Sequence, residues 1–356
     1  MWRISIRPEW FLSRPVGDPL PLPTLLRLLA AIQGGGSIAD AARATRMSYR
    51  GAWGLLRDFE REFRMPLVIK ARGQGTRLSP LADKLLWADR RVTARLSPTL
   101  DSLSSELEAE LESLLVPSRS SFRIRSSFGY AVAALVEALG RQGVIVDLKY
   151  RNSTEAVAAL ARGECDLAGF HVAEGEFQER SLRPYLASFD ARHHLLIQLA
   201  HRNQGLIVAR GNPKGVHAVT DLARPEIRFV NRQIGSGTRM LFDLLLAQEK
   251  VDPATVAGYD STEFTHAAVA AYIASGMADA GFGLEIGARR FNLDFVPLLR
   301  ERYFFACEQA AIERPALRNV VRLLRSREMR EIIDALPGYD SRIAGRVVTL
   351  DEAFSA

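Results

Sequence analysis

The chain has 356 residues, which is too long for one ordinary hydrophobic core and predicts two or three domains. It is 47% hydrophobic and 25% charged, no apolar run reaches the roughly 18 residues of a membrane helix, and charged residues break the stretch from Met1 to Leu12. We therefore expect a cytoplasmic protein with no membrane partner. The two cysteines, Cys165 and Cys307, have no metal-ligand spacing around them, so we expect no metal and no cofactor.

The excess positive charge is confined to the N-terminal part of the chain. Residues 1–90 hold 15 Lys and Arg against 8 Asp and Glu, or +7, whereas the remainder holds 32 against 33, or −1. A short basic domain joined to a near-neutral one indicates a module that binds a polyanion. Charge alone does not separate DNA from RNA or from an acidic protein.

Three helices are predicted after the proline-rich stretch that ends at Pro23. Thr24 to Ile32 has apolar residues at helical spacing, and a run of three glycines ends this helix. Ser37 to Asp40 resembles a capping box and opens a short helix that runs through Ala44. After a break of turn length, Ser48 can cap the third helix, so the last two helices form a helix-turn-helix.

The third helix carries residues suited to the major groove of DNA. Arg50 can bond a guanine edge in bidentate fashion, while Ser48 and Tyr49 at the helix start can meet phosphate or base. Trp53 is open to two interpretations, a DNA contact or packing against the first helix, and we favour packing. Arg57 is either a phosphate contact or part of a solvated face.

A basic hairpin is predicted next. Pro66 to Lys70 and Thr76 to Leu78 have the pattern of two strands, and a glycine-containing turn joins them. Lys70, Arg72 and Arg77 are placed for phosphate or minor-groove contact, although basic hairpins without a nucleic-acid partner are also common. The order of three helices and a wing predicts a winged helix-turn-helix DNA-binding domain over residues 1–90.

Three stretches of this domain form a specific combination. They are Ser37-Ile38-Ala39-Asp40-Ala41-Ala42, then Met47-Ser48-Tyr49-Arg50-Gly51-Ala52-Trp53, then Pro66-Leu67-Val68 with the glycine-rich wing ending in Leu78-Ser79-Pro80. Together they resemble the DNA-binding domain of ModE-type molybdate-responsive regulators, and more distantly LysR-type regulators, over roughly residues 20–90. The resemblance implies a dimer on a pseudo-palindromic operator of double-stranded DNA. Nothing like the small paired oxyanion-binding domains of ModE follows, so that ligand chemistry does not carry over.

A linker helix is predicted over residues 91–117. Leucines recur there at steps of four and three, at Leu96, Leu100, Leu103, Leu107, Leu111 and Leu114. Pro98 is expected to begin the second part of the helix, at a first turn where proline is tolerated. We favour a homodimer through this helix, with a tetramer left open, because a reader of half-sites needs two copies. A helix packed on its own domain is the alternative.

Residues 118–356 have the alternating strands and helices of an α/β domain, and one unit occurs twice. Ala156-Val157-Ala158-Ala159 leads through Gly163 to Asp166-Leu167-Ala168-Gly169-Phe170, and Ala268-Val269-Ala270-Ala271 leads through Gly276 to Asp279-Ala280-Gly281-Phe282. We interpret each as a helix, a tight turn and a buried strand, one in each of two similar lobes. The two lobes resemble the periplasmic-binding-protein fold, with lobe one at 120–205 and 300–356, lobe two at 206–299, and a ligand in the cleft.

The main candidate for ligand binding is a glycine-rich loop between a strand at Ile227 to Val230 and a helix at Met240 to Gln248. Its residues are Gly235, Ser236, Gly237, Thr238 and Arg239. Glycines allow close backbone approach, free N–H groups at a helix start bind an anion, the hydroxyls donate hydrogen bonds and the arginine adds charge. A plain turn is the alternative. The loop also resembles the anion-binding loop of phosphate- and tungstate-type binding proteins.

Further candidate ligand contacts are the polar residues at strand ends that open helices. In lobe one these are Ser126, Ser127, Asn152 and Ser153, with His171 as either a ligand contact or a structural histidine. In lobe two they are Glu263 and Thr265, which open another helix together with His266. Glu263 would repel an anion unless it accepts a hydrogen bond from the ligand, so it argues mildly against a bare oxyanion.

A ligand-responsive transcriptional regulator accounts for all of these features. The ligand class expected is a small anion, such as molybdate, tungstate, formate or a related small acid. A solute-binding or molybdenum-cofactor-related binding protein without regulatory DNA binding is the alternative, and it leaves the helix-turn-helix unexplained. We expect no enzyme, because no lysine follows the glycines and no metal-ligand cluster or nucleophile–base arrangement is identifiable.

Overall fold

The computed structural model describes residues 3–13, 17–71, 75–115 and 121–354, with the side chains of residues 70 and 71 excepted. It divides into two compact units, Arg7–Ala94 on one side and Arg95–Ala356 with Met1–Ile6 on the other. The sequence placed all of residues 1–90 in one domain. Residues 3–6 belong instead with the larger unit, because the N–H of Ile4 donates to Glu108 at 2.6 Å and Arg3 lies 3.7 Å from the same carboxylate.

The smaller unit contains three helices and a hairpin. Its elements in chain order are the paired strands β1 (Phe11–Leu12) and β2 (Leu20–Pro21), then α1 (Pro23–Gly35), α2 (Ile38–Ala44), α3 (Tyr49–Phe63), β3 (Val68–Ala71) and β4 (Gly75–Leu78). Helix α1 runs three residues further than its apolar pattern predicted, to Gly35, and Gly36 at its C-cap adopts φ +67°. The expected caps form, since Ser37 accepts from the N–H of Asp40 and Ser48 from that of Gly51, each at 3.0 Å.

Helix α4 is a single helix of 36 residues, Pro80–Leu115. The expectation of a new helical segment starting at Pro98 was therefore wrong, because the helix continues through this residue. In its second half α4 packs on strand β6 (Val146–Tyr150), the edge strand of the main sheet. Ser105 donates to the carbonyl of Val146 at 2.8 Å and accepts from the N–H of Leu148 at 2.8 Å, and Ser102 accepts from Tyr150 at 3.0 Å. Serine hydroxyls thus satisfy backbone groups of the exposed edge.

The larger unit is built on a ten-stranded sheet with helices around it. Its strands have the order β10-β9-β11-β8-β12-β7-β5-β6, and β13 and β14 also pair with β8. In chain order the elements after α4 are β5 (Phe122–Ser126), α5 (Tyr130–Arg141), β6, α6 (Ser153–Ala161), β7 (Leu167–Ala173), α7 (Gln178–Leu186), β8 (His194–Val208), β9 (Phe229–Arg232), α8 (Gly237–Gln248), β10 (Thr262–Glu263), α9 (His266–Ala274), β11 (Ala280–Leu284), α10 (Glu285–Arg290), β12 (Asp294–Glu308), α11 (Pro315–Arg325), α12 (Arg327–Asp334), β13 (Tyr339–Asp340), β14 (Val347–Val348) and α13 (Leu350–Phe354).

Two long antiparallel strands, β8 and β12, run through both lobes of this unit. Strand β8 pairs with β11 of lobe two from Gln204 to Val208, and β12 pairs with β7 of lobe one from Glu301 to Ala306. The change of partner lies within a few residues of the predicted lobe boundaries. Each lobe adds parallel strands outside this pair, β7-β5-β6 in lobe one and β11-β9-β10 in lobe two.

The internal repeat has the same structure in both lobes. Gly163 and Gly276 adopt φ +70° and +72° between helix and strand, a conformation that favours glycine. Three residues later an aspartate accepts from the backbone N–H and the guanidinium of an arginine in a neighbouring part of the sheet. In lobe one Asp166 accepts from the backbone N–H of Arg123 at 2.8 Å and from its guanidinium at 2.9 Å. In lobe two Asp279 accepts from the backbone N–H and the guanidinium of Arg228, each at 2.9 Å. This aspartate therefore orients the strand that follows.

Candidate functional site

The glycine-rich loop follows β9 and opens α8, as the sequence predicted. Gly235 has φ +84°, and Ser236 caps the helix by accepting from the N–H of Arg239 at 3.1 Å. The hydroxyl of Thr238 accepts from Gln204 Nε2 at 3.3 Å. Both hydroxyls thus have partners within the protein.

Arg239 does not bring an unpaired charge to the cleft, contrary to expectation. Its Nε donates to both carboxylate oxygens of Asp243, at 2.9 and 3.1 Å, and its guanidinium lies 4.0 Å from the centre of the Tyr259 ring. Asp243 lies one helical turn after Arg239, and its carboxylate neutralises the charge of the arginine.

Two more predicted ligand contacts in lobe two are engaged elsewhere. Glu263 is 2% exposed, and Arg95 of α4 lies 2.8 Å from its carboxylate. Thr265 caps α9 by accepting from the N–H of Ala268 at 2.9 Å. The negative charge of Glu263, which argued against an anionic ligand, is therefore balanced by Arg95 of α4.

The polar residues predicted in lobe one lie at the ends of β5 and β6. Ser126 is buried and donates to the carbonyl of Ser127, whose own hydroxyl lies 3.4 Å from Tyr303 Oη. Asn152 accepts from the N–H of Glu155 at 2.8 Å, and Ser153 is buried at the first position of α6. These side chains mainly stabilise turns and helix starts.

A buried charged cluster lies where β8, β12 and β7 meet. Arg202 and Glu301 face each other across the β8–β12 pair and form an ion pair, and neither side chain is more than 3% exposed. Glu301 also contacts His171 Nδ1 at 2.6 Å and accepts from Gln204 Nε2 at 2.7 Å. His171, which the sequence proposed as a ligand contact, belongs to this cluster.

Arg232, at the carboxyl end of β9, adds a second buried guanidinium. Its Nη2 donates to the carbonyl of Phe264 at 2.8 Å, while Nε and Nη1 have no hydrogen-bond partner among the described residues. His266 lies beside it at the start of α9 and accepts from the N–H of Leu284 through Nδ1 at 3.2 Å. Such unmatched buried donors are rare and mark a site that a ligand can complete.

The electrostatics of this cluster favour a negative ligand. Burial disfavours the charged form of Glu301, but Arg202 and His171 outweigh it and lower the pKa of that carboxyl to about 2. Burial, together with the like charge of Arg202, lowers the pKa of Arg232 to about 10, so both arginines remain cationic at neutral pH. The same effects hold the pKa of His266 well below its usual range, so this imidazole is neutral.

The two lobes approach closely beside the cluster. A Cβ atom at Gly237 of lobe two would lie 2.5 Å from Cε1 of His171 in lobe one, so only glycine fits here. Gly237 also lines a cavity of about 540 Å³ between α6 and α7 of lobe one and α8 of lobe two, with Thr154, Tyr185 and Ile234 in its wall.

Sequence reasoning missed Arg202, Gln204, Arg232 and Glu301. Arg232 could have been found, because it lies at a strand end directly before the glycine-rich loop, where α/β sheets bind ligands. Arg202, Gln204 and Glu301 lie inside long strands, and only the cross-strand register brings them together.

In the smaller unit, the predicted DNA contacts lie on the start of α3 and on β4. Ser48, Tyr49 and Arg50 are exposed. Trp53 is half-buried against the core of the unit, which agrees with packing, and the Arg57 guanidinium lies 5.8 Å from the centre of its ring.

The wing is described only in part. Strands β3 and β4 pair from Val68 to Leu78, and Arg77 is exposed on β4. The N–H of Thr76 donates to the carbonyl of Gly36 at 2.8 Å, which fixes the hairpin on α1. Arg72 and the side chain of Lys70 lie outside the described residues.

The described residues offer neither a membrane-spanning helix nor a metal-binding cluster. None of the helices in the four described ranges is long and apolar enough to cross a membrane. Over the same ranges, no group of three or more His, Cys, Asp or Glu side chains could hold a metal ion.

Two α/β lobes joined by long antiparallel strands, with a polar cleft between them, define the two-lobed binding-protein fold. The chain belongs to the PBP superfamily, because a family model described as a PBP superfamily domain matches residues 136–325, more than half of the chain. The expected binding-protein-like domain is thereby confirmed.

Two curated relatives share a third of their aligned residues with this chain. The Bacillus subtilis (strain 168) protein named "Uncharacterized protein YvgK" is 33% identical over 201 residues, which are 56% of this chain and 64% of that protein. The chain therefore spans less than two thirds of this relative. A Clostridium pasteurianum protein, named as uncharacterized in the ferredoxin 2Fe-2S gene 5' region, is 33% identical over 100 residues, 28% of this chain and 88% of that protein.

Solved structures that match this chain include regulators and a transport receptor. An H₂O₂-bound mutant of Corynebacterium glutamicum OxyR has a TM-score of 0.42 and 14% identity, covering 86% of this chain and 90% of that one. Full-length BenM has a TM-score of 0.42 and 13% identity, covering 87% and 96%. An ABC-type phosphate transport receptor from Vibrio cholerae has a TM-score of 0.45 and 17% identity, covering 62% and 99%.

Proposed function

We propose that this protein is a DNA-binding transcriptional regulator whose activity depends on a small anion bound in the cleft of its larger unit. The observation that carries the proposal is the presence, in one chain, of an exposed basic helix start and a cleft with an uncompensated buried arginine. The first suits a polyanion and the second suits a small anion. We expect no catalysis.

The smaller unit has the features of a winged helix-turn-helix. Helix α3 begins with Ser48, Tyr49 and Arg50, all exposed, while Ala52, Leu56 and Phe59 bury the opposite face. A helix held in this way can enter the major groove, and the hairpin can reach the backbone beside it. On this proposal the protein is a homodimer on double-stranded DNA, since one copy reads one half-site.

Helix α4 provides a physical route from ligand to DNA. In the larger unit it contacts both lobes: Ser102 and Ser105 bond to β6 of lobe one, and Arg95 pairs with Glu263 of lobe two. Closure of the lobes on a ligand would change one set of contacts relative to the other. We propose that α4 thereby alters the spacing of the two recognition helices in a dimer.

The ligand class expected from the cluster is a small anion, with molybdate, tungstate, formate or a related small acid as the first candidates. An anion balances the buried charge of Arg232 and accepts from its unmatched N–H groups. Ligand binding and DNA binding are separate parts of the proposal and are tested separately.

The DNA-binding part is tested by selecting bound fragments from a random duplex library with the full-length chain at physiological salt. We expect enrichment of one pseudo-palindromic sequence. Arg50→Ala should weaken binding to the selected sequence by about 1–3 kcal/mol, roughly 5- to 150-fold, and relax the preference for one base. Arg183→Ala, an exposed arginine of α7, is the matched control and should bind normally. A library that shows no enrichment would refute the regulator.

A further inference from the structure

The buried cluster of the cleft contains more positive than negative charge. Arg202 is paired with Glu301, and His266 is neutral. Within the described part of the chain, Arg232 forms no ion pair, although its side chain is more than nine-tenths buried. A buried cation of this kind is costly unless a ligand brings the counter-charge. The cluster therefore matches a negatively charged group.

Gln204 adds a second requirement. Its Nε2 donates to Glu301 at 2.7 Å and to Thr238 at 3.3 Å, and this fixes the amide orientation, because the reverse would set two oxygens against each other. Its Oε1 is then buried with no partner among the described residues. A buried acceptor is satisfied by a hydrogen-bond donor, which a bare oxyanion does not have.

A cavity of small-molecule size lies beside the glycine-rich loop and adjoins the cluster at Gly237, although Arg232 and Gln204 do not line it. Its volume of about 540 Å³ lies within the roughly 300–1,000 Å³ of small-molecule sites. Ile234, Met240 and Leu244 supply apolar wall on lobe two, and Gly237, where an added Cβ would meet His171 of the cluster, also lines the cavity. This space suits a molecule with a carbon skeleton.

We infer that the cleft binds a small organic anion that carries its own hydrogen-bond donor, with the anionic group on Arg232 and the donor on Gln204 Oε1. The simplest member of this class is a short hydroxy acid. Molybdate, tungstate and formate ions lack a donor at neutral pH and are expected to bind more weakly. This inference rests on the proposed function only for the cleft as the ligand site, and it names the ligand class.

The test uses calorimetric titration of the full-length chain with lactate, propionate and molybdate. Lactate and propionate differ by one hydroxyl, so lactate should bind about fivefold more tightly, the ratio given by one net hydrogen bond of about 1 kcal/mol. Arg232→Met should abolish binding of both acids. Arg183→Met, the same substitution at an exposed position, is the control and should bind both acids as the unmodified chain does.

Gln204→Met provides a second variant in case Arg232→Met fails to fold. It should bind lactate and propionate equally, because the acceptor is gone. Tighter binding of molybdate than of lactate, equal binding of the two acids by the unmodified chain, no lactate binding, or normal lactate binding by folded Arg232→Met would each overturn the inference. The DNA selection distinguishes failure of this inference from failure of the proposed function. If a DNA sequence is enriched but the cleft prefers molybdate, the regulator is supported and the ligand class is wrong. If the cleft prefers lactate but no sequence is enriched, the ligand class is supported and the regulator is wrong.

Discussion

Replacing Glu301 by Gln keeps the size and shape of the side chain nearly unchanged but should strongly destabilise the larger unit. The substitution leaves Arg202 buried without its counter-charge, and removal of one partner from a buried pair costs about 3–5 kcal/mol. The pKa of Glu301 points in the same direction, because Arg202 and His171 keep this carboxyl ionised despite its burial. For a unit of this size we expect the melting temperature to fall by roughly 6–20 °C.

Differential scanning calorimetry measures this change, and tryptophan fluorescence provides an internal reference. Three of the four tryptophans, Trp10, Trp53 and Trp87, lie in the smaller unit, and Trp2 belongs to the larger one, so in a Trp2→Phe background the fluorescence transition should not move. Glu137→Gln is the matched control, since Glu137 is 68% exposed and its pair with Arg141 contributes at most about 1 kcal/mol. A calorimetric shift for the Glu301 variant no larger than that of the control would refute the idea that a buried ion pair holds the lobes.

Three further changes probe the cleft and its link to α4. Gly237→Ala should cost about 1–3 kcal/mol, because its Cβ would overlap His171, whereas Gly54→Ala has open space and should be neutral or stabilising in urea unfolding. The folded-state pKa of His266 lies below its unfolded value, so stability falls as pH drops below about 6.5; His266→Asn should remove up to about 1.4 kcal/mol per pH unit of that slope just below pH 6.5, and an unchanged slope would contradict this. Glu263→Gln should retain ligand binding by titration but lose the effect of ligand on DNA binding, and full retention of that effect would exclude the ion pair to α4 as the link.

The elements were predictable where local chemistry decides them. Ser37 and Ser48 cap their helices as expected because an N-cap is a contact within four residues. Pro98 shows the opposite case. The expectation that a helix starts at a proline considers the helix alone. Helix α4 is also held by the hydroxyl contacts of Ser102 and Ser105 with β6, and tertiary contacts of this kind can offset a lost helical hydrogen bond.

The binding residues were harder to predict than the binding region. The glycine-rich loop lies in the cleft as expected, but the charge of Arg239 is neutralised by Asp243, a partner that helical spacing could have revealed. The pairing of Arg202 with Glu301 depends on two strands almost a hundred residues apart. Local sequence patterns contain no information on that register.

The position of the cluster has a mechanical consequence for the proposed regulation. Arg202 and Glu301 lie on β8 and β12 where these strands pass from one lobe to the other, so a charge bound there acts at the segments that must bend if the lobes move. Arg232 lies at the end of a lobe-two strand, and an anion that bridges it to lobe one would favour the closed arrangement. Because α4 is bonded to both lobes, the same closure would reach α4 without a separate effector element. On this view ligand affinity and lobe closure are one equilibrium, and changes at Arg232 should alter both together.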